Sequence, residues 1–219
     1  MRRLSDSVIA GVTVVALFCG AWLVRSGTAS HAPPQPSAAQ AHLRSGTPSV
    51  SPEPGGASTA PAAVPLPPSP PDRIRIPSLR VDAPLMGLGL TPAGSLDVPP
   101  AAKENLAGWY EAGTSPGARG TSIVAGHVDN AEGPAVFFRL GALKRGAIVE
   151  VDRRYGGTAV FTVDAVEVYD ARDFPDEKVY GAATRPELRV ITCGGGYSRA
   201  TGYQGNVVVF AHLTGSRPG

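Results

Sequence analysis

Two residue types near two apolar runs carry the chemistry in this chain. Cys193 ends the run Leu188-Arg189-Val190-Ile191-Thr192 and is followed by Gly194, Gly195 and Gly196. A thiol at a strand end is accessible to a substrate. Glycines beside it let a peptide backbone approach and leave N–H groups free to face an oxyanion. His127 ends a second run, Ser122-Ile123-Val124-Ala125-Gly126. A free thiol is mostly protonated at neutral pH, and an imidazole can take and return its proton there. Nucleophilic catalysis by cysteine with histidine as acid/base is the chemistry this pair supports. His212, at the end of a later apolar run, is the weaker second histidine. A third group should steady the oxyanion or hold substrate. Arg199, Thr201, Gln204 and Asn206 all follow Cys193 closely. Arg199 is the one cation among them and is the candidate we carry forward.

Other chemistry finds no support. The sequence has no metal-ligand spacing, no Gly-rich phosphate loop and no Gly-x-Ser-x-Gly. Neither a metal nor a cofactor is expected. Asp129, Asp164 and Asp170 are scattered carboxylates. Formal net charge is +2 over 219 residues, with acids and bases mixed, so no basic face for nucleic acid is expected. Cys19 lies in an apolar run near the start and Cys193 near the end, so no disulfide between them is expected.

The elements that must position these residues begin at Asp72. Arg73–Ile76, Ser122–Ala125, Ala147–Val151, Thr158–Tyr169, Leu188–Thr192 and Asn206–Ala211 read as short strands between Gly and Pro turns. Helical turns are expected near Pro134–Leu143 and Phe174–Tyr180. Trp109 and Tyr110 read as core. The pattern predicts an all-β sandwich or barrel over residues 72–219. Residues 27–71 hold more than half of the 22 prolines and few large apolar residues, so a disordered, extended linker is expected. Ser7–Val24 carries no Lys or Arg and no acid. At 1.5 Å per residue it would span roughly 27 Å, close to a bilayer's hydrocarbon thickness. Residues 1–26 are therefore expected to be a transmembrane signal-anchor. Arg2 and Arg3 place its N-terminus in the cytoplasm and the rest outside the cell. A cleaved signal peptide is the rival reading.

Together these pieces resemble the sortase family, most closely the class F sortases of actinobacteria. The matching stretches are Arg73–Leu79, Gly108-Trp109-Tyr110, Gly120–Asp129, Leu188–Gly195 and Asn206–Ala211, in the family's order. The resemblance implies an eight-stranded β-barrel with short helices, and a cysteine–histidine–arginine trio. It makes Cys193 the nucleophile, His127 the general acid/base and Arg199 the oxyanion or substrate-positioning group. It implies cleavage of a Leu-Pro-x-Thr-Gly-like sorting signal on secreted proteins. An acyl-thioester would then pass to an amine of a cell-wall precursor or another acceptor. The family's arginine generally follows the cysteine by about a dozen residues, a neighbourhood filled here by Gln204, Gly205 and Asn206. A secreted cysteine hydrolase and a non-catalytic envelope-binding module are the rival functions.

Overall fold

The computed structural model describes residues 32–41 and 63–219. Eight strands close into a barrel. They are β1 (Pro71–Ile76), β2 (Val81–Leu88), β3 (Ala107–Tyr110), β4 (Gly120–Gly126), β7 (Ile148–Arg153), β8 (Thr158–Asp170), β9 (Pro186–Ser198) and β10 (Gly202–Arg217). Their order around the barrel is β1-β2-β3-β4-β9-β10-β8-β7. A small hairpin, β5 (Asp129–Asn130) with β6 (Gly133–Pro134), stands apart. Closure leaves no free sheet edge. The all-β, eight-stranded expectation is met. The Pro134–Leu143 turn appears as a 3-10 helix at Leu140–Ala142, and Phe174–Tyr180 contains a short α-helix at Asp176–Tyr180.

Two pairings are parallel, β2 with β3 and β4 with β9; the others in the barrel are antiparallel. The parallel β4–β9 pair matters most, because it brings two strand C-termini to the same barrel end. Alternation along β10 sends Val207, Val209, Ala211 and Leu213 into the main core. Val208 and Phe210 point outward and pack with Ile123, Ile191, Ala165 and Val179. Both faces of these central strands are covered. That is why Leu188–Thr192 and Asn206–Ala211 read as unbroken apolar runs rather than alternating ones. Trp109 packs against the main core, and its Nε1 donates to the Thr114 carbonyl at 3.0 Å.

The proline-rich stretch departs from expectation in two places. Ala63 and Leu66 pack on the core, and the Leu66 amide donates to the Gly117 carbonyl at 2.8 Å. Further upstream, Gln35 Oε1 accepts from the Gly195 amide at 3.1 Å, and Gln40 Oε1 from the Arg145 amide at 2.8 Å. A carboxamide can satisfy a backbone donor without any apolar side chain, so composition gave no warning of these contacts. The expected anchor over residues 1–26 lies outside the described residues. Among those described, no helix is long and apolar enough to cross a membrane.

Candidate active site

Strands β4 and β9 run in register from Gly120↔Pro186 to Ala125↔Ile191. Gly126 and Thr192 come next, and the Thr192 hydroxyl donates to the Gly126 carbonyl at 2.8 Å. His127 and Cys193 follow immediately on each chain. Parallel pairing and one buried side-chain bond thus bring the two predicted residues to the same end of adjacent strands. Cys193 is a free, exposed thiol.

The imidazole is held from one side. His127 Nε2 donates to the Pro99 carbonyl at 2.7 Å. A carbonyl only accepts, so Nε2 carries the proton, and in the neutral ring Nδ1 is the free acceptor. The carbonyl's own loop is pinned, because Asn130 Nδ2 donates to Ala101 O at 3.0 Å. The His127 carbonyl accepts from the Phe137 amide at 3.0 Å, which fixes the backbone behind the ring.

Burial pushes the Cys193 thiol above the usual value, and the Asp129 charge pushes it further in the same direction. The thiol is reachable, yet its surroundings disfavour the thiolate. At rest the sulfur keeps its proton, so nucleophilic attack requires a base. Asp129 accepts a hydrogen bond from the Tyr203 hydroxyl. Burial and that bond push the Tyr203 hydroxyl well above the ordinary phenol range.

The four candidates for the third group separate cleanly. Asn206 is directly opposite Cys193 in the β9–β10 register, where side chains share a face about 5 Å apart. Gln204 is exposed and lies beside Gly196: a Cβ built there would sit 3.0 Å from its Oε1. Thr201 closes the hairpin turn with Ser198. Arg199 is exposed at the tip of that hairpin. Six residues of strand, on the order of 20 Å, separate it from Cys193. The structure therefore seats a neutral carboxamide, not the arginine, next to the thiol. His212 bonds Asp164 at 2.8 Å through Nδ1 and pairs with Glu187 further down the barrel, away from the strand ends.

A groove of about 540 Å³ runs along the outer face of β4. Leu90, Leu96, Tyr110, Ile123 and Tyr180 line it. Ile123, Leu96 and Tyr110 belong to the same outer cluster as Ile191, two residues before Cys193. Tyr110, expected in the core, is thus a groove wall. Sequence reasoning missed Tyr203, Gln35 and the Pro99 carbonyl and gave Asp129 no partner. All four act through contacts between segments distant in sequence. Among the described residues, no group of three or more His, Cys, Asp or Glu could hold a metal ion.

A closed β-barrel with a cysteine in one strand and a histidine just past the end of the parallel strand beside it defines a narrow class of proteins. The sortase domain model matches residues 74–214, and the chain belongs to the sortase family. Sortases are cysteine transpeptidases. No curated protein matches the sequence. Among solved structures, the chain is similar to sortase A from Corynebacterium diphtheriae, with 21% identity and a TM-score of 0.51 over 68% of this chain and 63% of that one. It is also similar to sortase C-1 from Actinomyces oris, with 20% identity and a TM-score of 0.50 over 65% of this chain and 72% of that one. At these identities the likeness concerns the fold.

Proposed function

We propose that this chain is a cell-surface transpeptidase that cleaves a Leu-Pro-x-Thr-Gly-like sorting signal and passes the acyl group to an amine. The observation that supports this reading is the β4–β9 register with the Thr192–Gly126 bond, one residue before Cys193 and His127 on their chains. His127 takes the thiol proton through Nδ1, and the sulfur attacks the carbonyl after the signal's threonine. The C–N bond breaks, and the departing amine takes the proton from His127. An amine of a cell-wall precursor then attacks the thioester. Asn206, across from the sulfur, is the donor for the oxyanion in place of Arg199. The apolar groove along β4 suits the leucine and proline of the signal. The stretches Arg73–Leu79, Gly108–Tyr110, Gly120–Asp129, Leu188–Gly195 and Asn206–Ala211, in that order, are the basis for placing the chain with class F. Residues 1–26 anchor it as a single-pass protein with the barrel outside the cell, and its partners are secreted proteins bearing the signal.

The test uses the full-length chain, wild type and Cys193→Ala, with a Leu-Pro-x-Thr-Gly peptide library and triglycine amide. Mass spectrometry reads the products and the intact enzyme. A Cys193-dependent acyl adduct that becomes an amine-linked product is expected. Hydrolysis regardless of amine would make the chain a cysteine hydrolase. No adduct with any peptide would leave an envelope-binding module.

A further inference from the structure

Asp129 begins two residues after His127, at the start of β5. Its Oδ2 is held by Tyr203 from the β9–β10 hairpin. The carboxylate therefore bridges the segment that carries His127 and the hairpin that carries Cys193. Among the described residues no lysine or arginine pairs with it, and its second oxygen has no hydrogen-bond partner there. Other barrel carboxylates are matched: Asp152 by Arg75, Glu187 by Arg185 and Arg189, Glu150 by Arg75 and Arg217. Asp129 is half-buried, so a lone charge there is costly unless something complements it.

Its charge also opposes the first half of the proposed reaction. Burial first, and the Asp129 charge after it, push the Cys193 thiol up and so disfavour the thiolate. A charge that hinders acylation is useful only in a later step. Once the thioester has formed, the sulfur is neutral and that conflict ends. What arrives next is an amine, which is a cation at neutral pH. Tyr203, whose hydroxyl bonds the carboxylate, lies beside Tyr197: their ring centroids are 5.0 Å apart, and Tyr197 is 63% exposed. Carboxylate oxygen plus aromatic faces is the chemistry that recognises an ammonium group.

We infer that Asp129, with Tyr203 and Tyr197, is the seat of the acceptor's primary ammonium group. The inference rests on the transpeptidase reading above and assigns its second substrate a site. The cation docks between the free Asp129 oxygen and the tyrosine faces, next to the thioester. It loses one proton to solvent by way of His127. The amine nitrogen then attacks the thioester carbonyl carbon, the C–S bond breaks, and a second nitrogen proton passes through His127 to the Cys193 sulfur. Thioester and ammonium give amide, thiol and one released proton.

The experiment compares full-length wild type, Asp129→Asn and Tyr203→Phe. Asparagine still accepts the Tyr203 bond, so the bridge survives while the charge is lost. Acylation is first followed on Cys193 with the peptide library. The acyl-enzyme is then partitioned between water and one of two nucleophiles: triglycine amide, a cation at neutral pH, or hydroxylamine, which is uncharged there. Asp129→Asn should raise the triglycine amide concentration needed for half-maximal aminolysis on the order of tenfold and leave the hydroxylamine dependence in place. Its acylation should be faster than wild type. Tyr203→Phe, which keeps the ring and the charge, should weaken triglycine amide less than Asp129→Asn does. Equal loss for both nucleophiles in Asp129→Asn would mean that Asp129 merely holds the loop, and the inference falls. No loss for either would also overturn it. Failure of the wild type to acylate at all would instead refute the transpeptidase reading, and the acceptor site with it.

Discussion

Thr192 tests whether the two strand ends are coupled as described. Thr192 is 4% exposed, and its hydroxyl donates to the Gly126 carbonyl at 2.8 Å. Thr192→Val keeps the shape and removes the donor. A net hydrogen bond is worth about 1 kcal/mol, and a buried carbonyl left short of a partner adds a similar penalty, giving about 2 kcal/mol. For a chain of this size that is roughly 4–8 °C in Tm. Thr192→Ser keeps the donor and loses one buried methyl, about 1 kcal/mol. Stability therefore separates the two variants only modestly, and the kinetics should separate them sharply. If the bond sets the distance between Cys193 and His127, a displacement near 1 Å costs up to about a hundredfold in rate. We expect acylation of Cys193 to fall at least tenfold in Thr192→Val and to stay within about threefold of wild type in Thr192→Ser. Scanning calorimetry and single-turnover mass spectrometry read the two quantities. Equal acylation rates in the two variants would refute the coupling, whatever the Tm values.

Three further outcomes follow from the same geometry. Iodoacetamide should alkylate Cys193 at pH 7 more slowly than a free cysteine peptide, because burial and Asp129 hold the thiol protonated; peptide mapping distinguishes it from Cys19, and a faster reaction would contradict the site's electrostatics. Glu187 is harder to ionise by burial, but bonds from Arg185 and Arg189 outweigh that and lower its pKa overall. A carboxyl lowered in the folded state stabilises above its unfolded pKa and loses that contribution as pH falls through the lowered folded value. Glu187→Gln should therefore flatten the acid limb of a Tm-versus-pH curve, and an unchanged limb would count against it. Finally, a Cβ at Gly205 would stand 2.1 Å from the Tyr169 carbonyl, so Gly205→Ala should destabilise by about 3 kcal/mol, read by urea unfolding, with a neutral result refuting the β8–β10 geometry.

The strands were legible where apolar residues run unbroken. Thr158–Tyr169 is β8 almost to the residue, and Asn206–Ala211 lies within β10. Strand β2 escaped notice because Pro84 and Gly87 interrupt it, and it is exposed along much of its length. Strand β9 was cut short at Thr192 because Gly194–Gly196 read as a loop; in fact they continue the ladder, with the register shifting between Tyr203 and Gly205 opposite. That extension bears on where Arg199 lies. A loop would let it fold back to the thiol, whereas a paired hairpin carries it outward and leaves Asn206 opposite Cys193. The cysteine and histidine drew notice because each follows an unbroken apolar run, Leu188–Thr192 and Ser122–Ala125 with Gly126. Asp129 and Tyr203 did not, since their meaning comes from each other.

The contacts of Gln35 and Gln40 set the start of the described proline-rich stretch against the barrel. Barrel entry at Pro71 lies beside Arg153, and β10 ends at Arg217 opposite Thr158, both at the end away from Cys193. Gln35 is fastened at the other end, by Gly195. The stretch over residues 33–41 therefore lies at the barrel end that carries Cys193, although the barrel's first strand begins at the other. Two carboxamides, Gln35 and Gln40, thus tie residues 33–41 to the end of the barrel opposite the one at which Pro71 enters.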